Sequence, residues 1–181
     1  MPEKISERKP PTHDSGNMGT VMTALAWIAL MVLLGFFFND VLDKQRNPNQ
    51  VLATHYPEDR IREVTLQRNK FGHYVTSGKL NGQDVVFILD TGATGVAIPD
   101  HIARKLNIRR GRAFPVQTAN GTGTSYATRL DSVSVGEILL ADVEAGIVPG
   151  LTGDEVLLGM SFLRHIEFTQ RGDTLVLKQY F

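Results

Sequence analysis

Phe87-Ile88-Leu89-Asp90-Thr91-Gly92-Ala93 combines a strand signal with residues that can carry chemistry. The apolar run that ends at Leu89 predicts a fully buried strand, and this strand leads directly into Asp-Thr-Gly. The threonine hydroxyl can orient neighbouring groups, and the glycine lets another backbone approach closely because it has no Cβ. A shuffled chain of this composition would contain three apolar residues followed by Asp-Thr-Gly only about 0.006 times. An ordinary tight turn after a strand is the alternative, since all three residues favour turns.

A second glycine motif follows farther along the chain. Val156-Leu157-Leu158-Gly159-Met160-Ser161-Phe162-Leu163 predicts another buried strand, which ends in glycine and leads into a short helix. Between the two motifs, the Thr-rich segment 114–130 predicts a long hairpin. Its Asn120-Gly121 pair is a strong hairpin signal.

The remaining residues of the C-terminal part predict short strands joined by turns. Asn81-Gly82 marks a first hairpin, and residues 100–107 form the best helix candidate because their apolar residues share one face. Further strands are predicted at 64–66, 71–75, 84–89, 96–99, 132–135, 144–148, 156–158, 166–169 and 174–178. This pattern predicts an all-β domain, a small barrel or sandwich, with one or two short helices.

The order of Asp-Thr-Gly-Ala, hairpin and second glycine motif resembles the retropepsin-like aspartic proteases of clan AA. In that family each chain supplies one Asp-Thr/Ser-Gly, a β-hairpin flap and an apolar-apolar-Gly motif before a helix. The resemblance covers about residues 64–181 and implies a retropepsin-like closed β-barrel. More narrowly, the chain resembles the membrane-anchored, single-motif bacterial members, which have a short tail, one membrane span, a linker and a protease domain.

The resemblance implies roles for individual residues. Asp90 would be the catalytic residue. Three residues would support the active-site loop, through a hydroxyl network and backbone hydrogen bonds: Thr91, Gly92 and Ala93. The tip of the flap over the substrate would consist of Asn120, Gly121, Thr122 and Gly123.

This chemistry needs two carboxylates that lie close together and share one proton. The chain holds one other similar tripeptide, Asp14-Ser15-Gly16, but it lies in a polar tail with no apolar strand before it. We therefore expect a homodimer in which each subunit supplies Asp90 on a two-fold axis. The resemblance also implies that the C-terminal strand, residues 175–181, joins the sheet between the subunits.

The N-terminal part contains a candidate membrane anchor. Residues 18–38 run for 21 positions without a charge, and a helix of that length spans about 31 Å, enough to cross a bilayer. A buried core helix should be amphipathic, and this one is apolar or small on every side. A cleaved signal peptide is the other alternative, but its apolar region would be shorter and would end in small residues.

The anchor divides the chain into four parts. We expect a disordered tail at 1–17, a transmembrane anchor at 18–38, a linker at 39–62 and a protease domain at 63–181. Positive charge is slightly greater before the span than after it, which favours an N-terminus inside the cell. The expected location is therefore the inner membrane, with the C-terminal domain in the periplasm.

Composition excludes several functions. The 181 residues carry 19 Lys and Arg against 19 Asp and Glu, so we expect no nucleic-acid partner attracted by bulk charge. The chain has no cysteine, which excludes thiol catalysis and thiolate zinc sites. Its five histidines show no metal-ligand spacing, so we expect no metal and no cofactor.

These features predict an aspartic endopeptidase that acts on polypeptides. Two alternatives stay open. One is a catalytically inactive, extracytoplasmic dimeric β-barrel that binds a partner. The other is a β-sandwich unrelated to proteases, in which Asp90 would lie in a surface turn instead of a cleft beneath residues 113–130.

Overall fold

The computed structural model describes residues 16–118 and 121–181. The chain forms two compact units, one that ends at Val41 and one that comprises Leu42–Phe181. The elements, in chain order, are α1 (Gly16–Arg46), β1 (Thr54–His55), β2 (Ile61–Gln67), β3 (Val75–Leu80), β4 (Gln83–Leu89), β5 (Val96–Pro99), α2 (Asp100–Lys105), β6 (Ala113–Thr118), β7 (Gly121–Val135), β8 (Ile138–Val148), β9 (Glu155–Leu158), α3 (Met160–Leu163), β10 (Glu167–Arg171) and β11 (Thr174–Tyr180).

Helix α1 contains the predicted membrane span. Its segment Met18–Arg46 is long and apolar enough to cross a membrane, with a mean hydropathy of 2.4 in its most apolar window. By length and composition it is a candidate membrane span or a signal sequence, since both meet these criteria. The helix continues past Phe38, where the sequence predicts a linker to begin, and ends at Arg46.

Part of the segment 39–62 is integrated into the folded unit. Asn49 is buried, and its side-chain amide donates hydrogen bonds to the carbonyl oxygens of Gln67 and Val75 at 2.8 and 2.7 Å. Its side-chain oxygen accepts a hydrogen bond from the Gln67 N–H at 2.7 Å. The Asn47 side chain in turn accepts a hydrogen bond from the Asn49 N–H at 2.9 Å. The chain is therefore docked on β2 and β3 at Asn47 and Asn49, inside the segment that the sequence predicts as a linker.

The first hairpin follows the sequence prediction closely. Strands β3 and β4 pair antiparallel from Val75↔Ile88 to Leu80↔Gln83. Asn81 and Gly82 have φ angles of 48° and 79°, the two positive values that a type I′ turn requires. Phe71, which we expected in a strand, is 60% exposed in the turn that precedes β3.

The larger sheet contains seven strands in the order β3-β4-β9-β5-β8-β7-β6. Strand β3 also pairs with β7, at Lys79↔Ser134 and Leu80↔Val133. This additional pairing completes a circuit of six strands, with β6 attached to β7 outside it. The circuit encloses the apolar core, whose largest fully buried side chains include Phe87, Phe162, Leu80, Ile98, Leu130, Ile147 and Leu158.

The smaller sheet contains four strands in the order β1-β2-β11-β10. Strand β11 pairs with β2 on one side and with β10 on the other. Both of its edges are therefore paired within the chain from Thr174 to Lys178. If the C-terminal strand belongs to a sheet shared by two subunits, the strand that pairs across them is therefore a different one, because a strand can pair along only two edges.

Candidate active site

Asp90 is the first residue after β4, and the neighbouring strand β9 fixes its backbone. Strands β4 and β9 run parallel, with Leu89 opposite Leu158. The Asp90 N–H donates a hydrogen bond to the Leu158 carbonyl oxygen at 3.2 Å. The apolar run before Asp90 is a strand, as predicted, but it is only partly buried, with Phe87 alone fully inside the core. It brings Asp90 beside the second glycine motif.

The Asp90 carboxylate is oriented by its own loop. The Gly92 N–H donates a hydrogen bond to Asp90 Oδ1 at 2.9 Å, and the Ala93 N–H donates to the Asp90 carbonyl oxygen at 3.2 Å. A Cβ added to Gly92 would lie 3.1 Å from Asp90 Oδ1. Glycine at this position therefore allows the backbone to approach the carboxylate closely.

Gly159 packs directly against the backbone of the loop that follows Asp90. A Cβ on Gly159 would lie 2.2 Å from the Gly95 carbonyl oxygen and 2.6 Å from that of Ala93. The next residue, Met160, donates its backbone N–H to the Ala93 carbonyl oxygen at 2.9 Å. The apolar-apolar-Gly motif and the Asp-Thr-Gly motif are therefore in direct backbone contact.

Ser161 connects the end of the loop to a third strand. Its hydroxyl accepts a hydrogen bond from the Val96 N–H at 2.9 Å and donates one to the Glu144 carbonyl oxygen at 2.8 Å. The bond from Val96 is buried and the bond to Glu144 is partly buried, so the first is shielded from water. Ser161 thereby holds the start of β5 against β8.

Asp90 faces a cleft of about 1040 Å³ beneath the β6–β7 hairpin. The hairpin contributes Phe114, Val116 and Ala127 to the lining, and the opposite side contributes Gly92 and Leu151. The alternative of a surface turn without a cleft therefore does not describe Asp90. An apolar cleft with a few polar groups that point into it is typical of a ligand or substrate site.

The remaining predicted site residues lie at the rim and at the hairpin tip. Thr91 is exposed, and its hydroxyl has no hydrogen-bond partner among the described residues. At the tip, Thr122 donates its hydroxyl to the Gln117 side-chain oxygen at 3.0 Å, and Gly123 pairs with Val116. Gly121 begins β7 with a φ of 105°. Asn120 lies outside the described residues, as do Asp14 and Ser15.

Several cleft residues were not singled out from the sequence. Phe114, Val116 and Gln117 of β6 and Arg164 after α3 line the cleft, because sheet register decides which side chains of a strand face it. The alternation of Phe114 and Val116 along β6 was the available signal, since residues two apart share a face.

Charged side chains border the cleft at Arg129 and Glu144. Arg129 donates to Asp142 Oδ2 at 2.7 Å and lies 3.6 Å from the Glu144 carboxylate. The hydrogen bond from Arg129 lowers the pKa of Asp142, and the same bond raises the pKa of Arg129. Glu144 therefore has a cationic partner of its own. Across residues 16–118 and 121–181, no group of three His, Asp or Glu side chains is placed to hold a metal ion.

Residues 76–165 match the family described as "gag-polyprotein putative aspartyl protease". This region includes the Asp90 loop, the β6–β7 hairpin and the Gly159 motif. The structure is similar to the crystal structure of a retropepsin-like aspartic protease from Rickettsia conorii, with a TM-score of 0.56 and 27% sequence identity. The similarity covers 71% of this chain and 96% of that protein.

Two curated relatives are also similar in sequence. An uncharacterised Sinorhizobium protein from the 5′ region of cobV is 33% identical over 120 residues, 64% of this chain and 52% of that protein. An uncharacterised Rickettsia prowazekii protein, RP867, is 26% identical over 162 residues, 84% of this chain and 68% of that protein. The aligned region is thus about half the length of the Sinorhizobium relative. For the present chain, the order of motifs, the family match at residues 76–165 and the fold agree: the chain belongs to the retropepsin-like aspartic protease family.

Proposed function

We propose that this protein is an aspartic endopeptidase that hydrolyses peptide bonds with a water molecule held between two Asp90 carboxylates, one from each subunit of a homodimer. The observation that carries the proposal is the position of Asp90. Its carboxylate is oriented by the Gly92 N–H and faces the cleft beneath the β6–β7 hairpin.

A second subunit is required by the chemistry. One carboxyl group polarises the scissile carbonyl while the other takes a proton from the attacking water. The two groups share one proton, because like charges about 3 Å apart cannot both be ionised. Asp90 is the only aspartate among the described residues that line the cleft, and the other carboxylate there, Glu144, is paired with Arg129. A second Asp90 is the partner that two-fold symmetry supplies.

The loop residues have supporting roles in this proposal. Gly92 holds the Asp90 carboxylate through its N–H, and Ala93 fixes the loop backbone through its bonds with Asp90 and Met160. Thr91 is exposed, so its hydroxyl is available to the second subunit. The hairpin tip, Asn120 to Gly123, covers the substrate, and the apolar side chains of β6 contact it.

We also propose that α1 anchors the protease to the inner membrane through residues 18–38, with the C-terminal domain in the periplasm. The uniform apolar character of the helix supports the anchor, and the larger positive charge before it supports the orientation. Confinement to a membrane raises the effective concentration of the two subunits and favours their pairing.

The proposal is tested with the full-length protein in detergent micelles and a diverse peptide mixture from about pH 4 to pH 8, where the protonation of a carboxyl pair controls the rate. We expect wild type to cleave internal peptide bonds and Asp90→Asn to lose at least about a hundredfold in rate. Asp131→Asn makes the same chemical change at an exposed site outside the cleft and should retain full activity. Mass spectrometry of the products gives the cleavage sites.

Mixed dimers test the sharing of the site. If wild type and Asp90→Asn exchange subunits freely, a quarter of the dimers in an equal mixture contain two wild-type subunits. Because only these dimers are complete, the mixture should have about a quarter of the activity of wild type at the same total protein concentration. Retention of half would contradict a shared site. Equal behaviour of wild type and Asp90→Asn in every assay would instead favour the inactive binding module.

A further inference from the structure

Strand β10 forms an open edge of the smaller sheet. All five of its residues, Glu167–Arg171, are exposed, and in the part of the chain that the structure describes it pairs with β11 alone. The opposite edge of this sheet, β1, is only two residues long. Natural proteins usually protect an open edge strand, because its free N–H and C=O groups recruit other strands.

The apolar side of β10 is also uncovered. Phe168 lies opposite Leu177, and Gln170 lies opposite Leu175, so these residues share the face of the sheet that packs on the core. Leu175 and Leu177 are buried, whereas Phe168 is 37% exposed. The core therefore ends beneath β11, and β10 extends beyond it with an aromatic side chain that nothing in the described chain fully covers.

The sequence of β10 complements itself. If two copies pair antiparallel about a two-fold axis at Thr169, Glu167 of each copy lies opposite Arg171 of the other. Phe168 then lies opposite Gln170, and the two Thr169 residues meet on the axis. Opposite charges directly across a strand pair stabilise it, and a threonine pair is favourable as well. A protected edge would instead carry a repelling charge at its centre.

We infer that β10 is the strand through which two copies of this chain pair, in the register that places Thr169 against Thr169. This inference rests on the proposed function, because that function requires a second copy and β11 is already paired on both sides from Thr174 to Lys178. A second copy is the occupant that the self-complementary charges favour. The pairing would join two four-stranded sheets into one continuous sheet of eight strands.

Cysteine trapping tests the register directly, because the chain has no cysteine of its own. In a Thr169→Cys dimer the two new cysteines would lie directly opposite each other, with their Cβ atoms about 4.5–5.5 Å apart. This is close to the Cβ–Cβ distance of about 3.5–4.5 Å in a disulfide. We expect the full-length protein, in detergent with added diamide, to form a covalent dimer. Thr65→Cys is the matched control. Thr65 is exposed and lies in the same row of the sheet as Thr169, but on β2, two strands away from β10. We expect it to cross-link at least tenfold more slowly, and equal rates would overturn the register.

Charge exchange tests the pairing without a covalent bond. Glu167→Arg and Arg171→Glu each place like charges opposite each other twice per dimer. The dissociation constant of the dimer should therefore rise about tenfold for each variant alone. An equal mixture of the two variants places opposite charges at both positions and should restore the dimer. Tyr180→Phe removes the hydrogen bond from the Tyr180 hydroxyl to Glu167 without altering charge, and it should leave the dissociation constant unchanged. Analytical ultracentrifugation measures the dissociation constants of the two charge variants, of their mixture and of Tyr180→Phe, each against wild type.

Activity separates this inference from the proposed function. If both charge variants dimerise as wild type does while wild type still cleaves peptides, the interface lies elsewhere and the proposed function stands. If the charge variants, Thr169→Cys and Thr65→Cys behave as expected but Asp90→Asn cleaves peptides as wild type does, the interface stands and the proposed function fails.

Discussion

Gly159 packs against the backbone of Gly95 so closely that a Cβ atom on Gly159 would lie 2.2 Å from the Gly95 carbonyl oxygen. The contact joins the end of β9 to the loop that carries Asp90. Because the opposing atoms belong to the backbone and not to a flexible side chain, they cannot move aside without shifting the loop. Two glycine motifs that are far apart in sequence are therefore one structural unit.

Gly159→Ala tests this contact. We expect the variant to lose about 1–3 kcal/mol of unfolding free energy, as overpacked sites do, and to lose peptidase activity through displacement of the loop. Gly150→Ala is the control, since a Cβ there would meet nothing within 4 Å. Chemical denaturation gives both free energies, and equal stability of the two variants would contradict the tight contact.

Gly92→Ala should separate activity from stability. The new Cβ would lie 3.1 Å from Asp90 Oδ1, so the carboxylate must shift by a small amount while the core is unaffected. We expect kcat to fall by at least about tenfold, because misplacement of a reacting group is costly, with little change in melting temperature. A melting temperature lowered as far as that of Gly159→Ala would show a structural role instead.

Ser161→Ala removes the acceptor for the Val96 N–H and the donor to the Glu144 carbonyl oxygen. Because the Val96 N–H is left unpaired in a buried bond site, the variant should lose about 1–3 kcal/mol of unfolding free energy. Urea denaturation of the full-length protein measures the loss. Ser161→Thr retains the hydroxyl and should recover part of the stability.

Asn49→Ala should destabilise the folded unit although Asn49 lies in the segment expected to be a linker. The substitution leaves the Gln67 N–H and the carbonyl oxygens of Gln67 and Val75 without their side-chain partner. We expect a loss of about 2–4 kcal/mol, since one buried and two partly buried hydrogen bonds are lost together. Gln50→Ala, at the exposed neighbouring position, should change stability by less than about 0.5 kcal/mol. Similar melting curves for the two variants would show that the docking of Asn49 is unimportant.

Asp100 should make stability depend on acid pH. Its hydrogen bond from Arg110, with the charge of Arg104, lowers its pKa below the ordinary value of 3.8. Since the folded pKa is the lower one, the carboxylate stabilises the fold fully above the unfolded pKa and loses this effect as pH falls through the folded pKa. Asp100→Asn should therefore be less stable than wild type at pH 7, and the difference should shrink below about pH 4.

Thermal melts of wild type and Asp100→Asn from pH 7 to pH 3 measure that difference. Asp131→Asn, which alters an exposed carboxylate in β7, should follow the wild-type curve throughout. A gap between wild type and Asp100→Asn that stays constant with pH would show that the side chain acts through packing alone.

Local signals in the sequence predicted much of the fold. The Asn81-Gly82 turn, the apolar run of β4, strand β5 and helix α3 follow from turn chemistry and hydrophobic pattern, because these depend on residues adjacent in the chain. The Asp90 loop and the Gly159 motif were likewise evident from the order of residue types. The uncharged segment of α1 was recognised from length and composition alone.

Only the tertiary structure decided what meets across the sheets. The parallel pairing of β4 with β9 brings Gly159 to the Asp90 loop, and the register of β6 places Phe114 in the cleft. The buried position of Asn49 and the enclosure of β11 between β2 and β10 likewise depend on strands distant in sequence. A strand's own residues specify which of them alternate between its faces, but not which strand pairs with it or in which register. That choice is made by the packing of the whole core.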